Sequence, residues 1–297
     1  MRITRESCTV RVPATSGNLG PGFDCLGLAH AVYDEVEAVP IAGPTKVQVL
    51  GEGQGELPTD DSHLVVKALH RGLEWAGAPA CGVKLTCRNA IPQARGMGSS
   101  AAAVVAGLTL ASGLLGSPDG FGRAEILTLA TEFEGHPDNA APAIYGGATL
   151  SWAEAGQAHA AQLRLHPQLA TTLLTPDQHL ATSEARSALP AKVLHADAAF
   201  NAARTGMLVH ALAEDLDLLV EATRDRLHQE YRASSMPASA EVLTALREAG
   251  WPAVISGAGP TVLVLDELDA QTCRILEARG FAAQSVGIGE GAKILSA

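Results

Sequence analysis

Alternating and helix-periodic stretches divide this chain into a regular succession of strands and helices. Cys8-Thr9-Val10-Arg11-Val12 alternates as a strand, then breaks at Pro13 into a long loop, rich in Gly and Pro, that ends at Asp24. The apolar run Leu26 to Ala29 follows, Tyr33–Val39 and Lys46–Leu50 read as strands of a meander, and 51–59 reads as a surface loop. Ser62 caps a predicted helix with Val65, Leu69 and Leu73 on its inner face, ending near Gly77. Val83 to Cys87 alternates again and delivers the chain to the glycine-containing loop 91–103. There Ser99 or Ser100 caps a buried helix in which Val104, Leu108, Ala111 and Leu115 recur at helical spacing up to Gly116. A helix over Arg123 to Glu134 stops at Gly135, and a dense polar cluster, 134–148, leads into a strand.

Beyond a shift in composition at 154–159, strands are expected at 163–165 and 171–175, then a loop over 182–190. Helices are expected at 197–213, 217–227 and 239–249, a hairpin-like pair of strands around the turn Gly257-Ala258-Gly259-Pro260, a helix to Gly280 and a last strand at 285–288. This is a mixed α/β pattern in two lobes, 1–156 and 157–297, long enough to bury a large core.

Composition narrows the class. Hydrophobic residues at 47% and charged ones at 18% describe a folded chain, and no apolar run has membrane-spanning length. Met1 to Glu6 lacks the apolar core of a signal peptide, so a cytoplasmic location is expected. The five cysteines are scattered and contain no C-x-x-C pair, which argues against a disulfide framework or a zinc site. A formal net charge of −11 argues against nucleic acid as a partner, although one local positive pocket for a nucleotide is compatible with it.

The loop Pro92-Gln93-Ala94-Arg95-Gly96-Met97-Gly98-Ser99-Ser100-Ala101-Ala102 supplies such a pocket. Two glycines permit close backbone approach, and the free N–H groups and positive dipole end of the helix that follows suit a phosphate. No lysine follows the last glycine, so this is not the common P-loop. The string Pro-x-x-x-Gly-Met-Gly-Ser-Ser-Ala resembles the second signature of the GHMP kinases, a superfamily of small-molecule kinases. The string from Pro13 to Asp24 resembles the first signature in its homoserine kinase form, Ser256-Gly257-Ala258-Gly259-Pro260-Thr261 resembles the third, and Glu134-Gly135-His136-Pro137-Asp138-Asn139 is similar to homoserine kinases in particular.

Spread from start to end, these motifs cover essentially the whole chain. The resemblance implies an N-terminal ribosomal-protein-like α/β domain with a left-handed crossover, packed on a ferredoxin-like C-terminal domain. It implies transfer of the γ-phosphoryl of ATP to the side-chain hydroxyl of L-homoserine, with Mg2+ as cofactor and, as a family expectation, a homodimer. A GHMP kinase for another small alcohol, mevalonate- or shikimate-like, and a non-catalytic nucleotide-binding homologue are the alternatives.

By the same resemblance, residues Pro92, Arg95 to Ala102 bind the nucleotide, and Ser99 or Ser100 with Glu134 holds the metal, Glu132 being a competitor. Asn18, Asp24, His136, Asn139, Thr182, Arg186, Arg232 and Gly257 bind the amino acid, with Asn18, His136, Asn139 and Arg186 closest to the chemistry. Asp24 suits the α-ammonium, and the arginine forks suit a carboxylate or a phosphate. Arg226 rivals Arg232. Asp138 stands where mevalonate and galactokinase relatives present a base, whereas homoserine kinases manage without one. In those kinases an asparagine near the start of the helix after residue 62 frames the adenine; here Ser62-His63 occupies that region.

Overall fold

The alternation that starts at Cys8 carries on through the proline and into the motif. In the computed structural model, which describes residues 1–297, β1 spans Cys8–Gly17 and pairs antiparallel with β2, Leu26–Ile41, across a register shift at Pro13/Ala14. The expected long loop is therefore only the connection 18–25, because a bulge lets Pro13 stay in the ladder. β3 is Lys46–Gly51 and β4 is Gly82–Asn89. They run parallel, joined through helix α1, Leu64–Trp75. His63, not Ser62, is the N-cap of α1: its Nδ1 accepts the Val65 N–H at 3.3 Å.

Helix α2, Ser99–Leu114, is buried on nearly every side, which is why its sequence shows no polar face. Its N-cap is Gly98 at φ +68°, one residue before the expected serine, since only a glycine takes the left-handed turn easily there. The helix α3, Arg123–Glu134, ends at Gly135 as the sequence indicates. The polar cluster then forms a short helix, α4 (Ala140–Tyr145), where a direct run into a strand was expected. Strands β5 (Ala148–Glu154) and β6 (Gln157–Leu163) form a hairpin whose turn is the shift in composition. Together these strands and β11, Lys293–Ser296, make a seven-stranded sheet in the order β11-β1-β2-β4-β3, with β5 on β2 and β6 on β5. The chain leaves this sheet after β6, one strand later than the division at 156/157.

The second sheet has the order β10-β7-β9-β8, built from β7 (Thr171–Pro176), β8 (Ala253–Ile255), β9 (Val262–Val264) and β10 (Phe281–Val286). Fourth, first, third, second is the strand order of a ferredoxin-like split βαβ unit. Residues 163–165 lie outside it, so the strand expected there is only the end of β6. Helix α5, Thr182–Ser187, replaces an expected loop, and α6 is His195–Glu214. The helix expected over 217–227 is cut short. A 3-10 turn at Leu216–Leu218 leads to α7, Leu219–Ala222, and the Asp225 carboxylate then accepts the N–H groups of Leu227, His228 and Gln229, starting a new turn, α8 (Gln229–Arg232). Helices α9 (Pro237–Glu248) and α10 (Ala270–Glu277) complete the lobe. A large apolar core surrounds α2, and a smaller one lies under the second sheet around Leu174, Val242, Val264 and Phe281.

Candidate active site

Three sequence-distant motifs meet at the end of β1. Thr15 N–H donates to Met97 O at 3.0 Å, and Ser256 Oγ donates to Gly96 O at 2.6 Å. Gly257 N–H donates to Gly17 O at 3.1 Å, and Thr261 N–H to Arg95 O at 3.2 Å. The loop before α2 is thus held from both sides by backbone and hydroxyl groups. A side chain at Gly98 would run into Thr15 Oγ1 and into Thr15 O, so the glycine answers to packing as well as to φ. The N-terminus of α2 opens into a cleft of about 430 Å³. Pro92, Arg95, Gly96, Met97, Gly98, Ser99, Ser100, Ala101 and Ala102 all line it.

At one end the lining is polar: Asn18, His136, Asn139, Thr182, Arg186, Arg232 and Gly257. Asn18, at φ +68°, donates from Nδ2 to Gly257 O at 2.8 Å and accepts the Asp24 N–H on Oδ1 at 2.9 Å. Thr15 Oγ1 donates to Asn139 Oδ1 at 3.1 Å. Asp24 is paired with Arg186, at 2.7 Å and 3.3 Å to its two oxygens, so the two groups assigned to opposite charges of one ligand hold each other. Arg232 is almost wholly buried, donating from Nε to Ala185 O at 3.2 Å and from Nη1 to Gly257 O at 3.3 Å. Its rival Arg226 points elsewhere, onto Asp197 at 3.2 Å, and does not line the cleft.

Asp138 is absent from the lining. It is fully buried behind His136: Oδ1 bonds His136 Nδ1, and Oδ2 accepts the Asn18 N–H at 3.0 Å. Burial alone would pull the His136 pKa down, but the hydrogen bond and charge of Asp138 outweigh it and leave it above the ordinary histidine value. A carboxylate with both oxygens engaged beneath an imidazole is arranged to hold that ring. It has no direct path to a hydroxyl in the cleft.

Two oxygen donors stand together at the helix start: Ser100 Oγ donates to Glu134 Oε1 at 2.6 Å, and both residues line the cleft with Ser99. A hydroxyl beside a carboxylate, next to a phosphate cradle, is a donor set that fits a hard divalent cation. Glu132 is engaged elsewhere, by Arg71 at 3.2 Å and 3.3 Å. The far end of the cleft is apolar, with Val36, Leu57, Pro58, Leu64, Val65 and Cys87. His63 also lines it, and its buried Nε2 has no partner. Asp34 there accepts the N–H groups of Ala90 and Ile91 at 2.7 Å and 2.9 Å, and burial pushes its pKa up to about 6.

Several contributors escape motif reading. Phe23 lies against Arg186 and Arg232, 5.7 Å and 5.6 Å from ring centre to guanidinium carbon, inside a motif whose polar members draw attention first. Ser16 and Ser256, 2.6 Å apart, join the first motif to the third, and no local spacing foretells a contact across 240 residues. His228 and Asp225 stand beside Arg232 in the string 225–232, where only the arginines carry an obvious role.

Known proteins resemble this chain in sequence and in fold. The models for the GHMP kinases N terminal domain and the GHMP kinases C terminal domain match residues 63–147 and 207–278. A homoserine kinase of Mycolicibacterium vanbaalenii is 48% identical over 294 residues, 96% of this chain and 94% of the relative. One from Corynebacterium efficiens is 50% identical over 264 residues, 86% of this chain and 85% of the relative. Among solved structures, homoserine kinase from Cytophaga hutchinsonii superposes with a TM-score of 0.85 at 27% identity, covering 98% of both chains. Mevalonate diphosphate decarboxylase from Staphylococcus aureus shares the fold at a TM-score of 0.69 and 16% identity.

Proposed function

The chain belongs to the homoserine kinases of the GHMP kinase family, and from that premise we propose how its cleft performs the reaction. The enzyme transfers the γ-phosphoryl of ATP to the side-chain hydroxyl of L-homoserine, giving O-phospho-L-homoserine and ADP, a step of threonine biosynthesis. The observation that carries the reading is the convergence of a free helix N-terminus, Arg186 and the buried Arg232 in one cleft, with Asp24, itself outside the lining, paired to Arg186.

The triphosphate lies on the N–H groups at the start of α2, where the dipole and the Gly98 turn favour negative charge. The base occupies the apolar end, beside the free His63 Nε2. At the polar end the amino acid separates the Asp24–Arg186 pair: its ammonium takes Asp24, and its carboxylate takes Arg186 and Arg232. Asn18, His136, Asn139 and Thr182 line the space left for the side chain. Magnesium held by Ser100 and Glu134, with Ser99 adjacent, would supply neutralisation of the phosphate charge.

The homoserine oxygen attacks the γ-phosphorus as the bond to the β-bridging oxygen breaks, and the hydroxyl proton passes to the transferred phosphoryl. Because this transition state is loose, alignment and charge stabilisation carry most of the acceleration. Asp138 contributes by holding His136 and the Asn18 backbone. The reading includes a cytoplasmic location and a homodimer, both carried by the family alone.

An ADP-release assay over a panel of small alcohols, with 31P NMR of the product, tests the proposal. L-Homoserine should be turned over best, with phosphate on the side-chain oxygen. Better turnover of mevalonate or shikimate would overturn the substrate, and nucleotide binding without phosphorylation of any acceptor would overturn the catalysis.

A further inference from the structure

His228 is wholly buried where the loop 18–25 meets the segment before α8. Its Nε2 lies 2.8 Å from Gly20 O, and a carbonyl only accepts, so Nε2 carries the proton. Its Nδ1 lies 3.1 Å from Arg232 Nη1, and a guanidinium only donates, so Nδ1 carries the lone pair. Both contacts require the same neutral tautomer. The nearest carboxylate, Asp225, is 3.7 Å from Nε2 but already saturated. Its Oδ1 accepts from Leu227 N–H and Asn201 Nδ2, and its Oδ2 from the N–H groups of His228 and Gln229. Burial accordingly pulls the His228 pKa below the ordinary value despite Asp225. Phe23 covers the imidazole at 5.3 Å between ring centres.

Besides the face of Phe23, Arg232 reaches the loop that carries Asn18 and Asp24 by two hydrogen-bonded routes. One is Gly257 O, which accepts from both Arg232 and Asn18. The other is His228. Ala185 O and Gly257 O hold the guanidinium at Nε and Nη1, but neither carbonyl belongs to that loop, so His228 is the link that fixes Arg232 against the loop's own backbone at Gly20.

We propose that His228 is a positioning residue: its neutral imidazole ties the Arg232 guanidinium to the Gly20 backbone and so sets the spacing between the group that reads the substrate carboxylate and Asp24, which reads the ammonium. This rests on the reading that Arg232 contacts L-homoserine. His228 itself touches no reacting atom.

The test is steady-state kinetics of the full-length enzyme with L-homoserine and ATP for His228→Phe, His228→Asn, Arg232→Ala and the double variants. Phenylalanine keeps the ring against Phe23 but offers no nitrogen; asparagine offers Arg232 an acceptor but is too short to reach Gly20. His228→Phe should raise the homoserine KM at least about tenfold, the scale of one charge-assisted hydrogen bond, with the ATP KM nearly unchanged. His228→Asn should fall between this and the parent. In the Arg232→Ala background His228→Phe should add less than about twofold, because coupled groups are not additive. An unchanged homoserine KM in His228→Phe, or its full effect persisting without Arg232, would overturn the inference. If Arg232→Ala alone left the homoserine KM unchanged, the underlying reading would fall and the inference with it. Should His228→Phe not fold, His228→Asn, alone and with Arg232→Ala, is judged by the same criteria.

Discussion

Replacing Asp138 by Asn removes one charge and almost no volume from the pair on which His136 rests. In the parent, Oδ2 accepts the Asn18 N–H at 3.0 Å and Oδ1 holds His136 Nδ1, with the carboxylate fully buried. In the variant, if the amide oxygen keeps Asn18, its NH2 faces Nδ1, which must then present a lone pair. The imidazolium loses its counter-charge, and burial, no longer outweighed, pulls the ring's pKa down. A 15N-detected titration should therefore place the His136 midpoint above 6.5 in the parent and below it in the variant. The loss of a charge-assisted bond costs about 1.5–3 kcal/mol, and if all of it falls on the transition state kcat/KM drops roughly 10- to 150-fold. Stability follows the same sign. A histidine whose pKa is raised by folding contributes fully below its unfolded value, near 6.5, and the contribution fades as pH rises through the folded value. The Tm gap between parent and variant should thus be largest in mild acid and shrink above neutrality. A loss in kcat of about a thousandfold with homoserine KM unchanged and the acidic limb of the pH profile gone would make Asp138 a general base and refute the reasoning.

Asp24→Asn keeps the shape but not the charge of the group paired with Arg186 at 2.7 Å. Homoserine KM should rise on the order of tenfold or more with ATP KM unaltered, and unchanged homoserine kinetics would remove Asp24 from the site. His63→Ser retains an acceptor to cap α1 but deletes the buried Nε2 at the apolar end of the cleft. ATP KM should rise several-fold, about the worth of one hydrogen bond, with little change in Tm or in homoserine KM; an equal rise in both KM values would mean that the ring does not face the base.

The long periodic elements are legible because burial on one side leaves a pattern: α3 with its Gly135 stop is read correctly, and β4 to within two residues at each end. Pattern fails where side chains, not periodicity, decide the backbone. The break after Ala222 comes from the Asp225 carboxylate capping α8, and the continuation of β1 past Pro13 comes from a bulge against β2. The α2 cap is Gly98, where both the φ of +68° and the close approach of Thr15, 83 residues earlier, exclude a side chain. For the site, motif residues with charged or amide side chains are legible one by one, and the fold brings Asn18, His136, Asn139, Thr182, Arg186, Arg232 and Gly257 into one lining. Their pairings are not legible. Nothing in the spacing tells that Asp24 meets Arg186, that Asp138 lies behind His136, or that His228 stands between Gly20 and Arg232, because each contact joins segments that only tertiary packing brings together.

The account stands on the turn at Gly98 as the place where the phosphates approach the backbone. Gly98→Val puts a β-branched side chain at φ +68°, against Thr15 and over the free N–H groups of α2. Calorimetric titration of the variant with Mg-ATP, beside circular dichroism to show the fold retained, measures this directly. The nucleotide Kd should rise by about a hundredfold or more, the scale of losing several hydrogen bonds at a phosphate. A folded Gly98→Val enzyme that binds Mg-ATP as tightly as the parent would contradict the account.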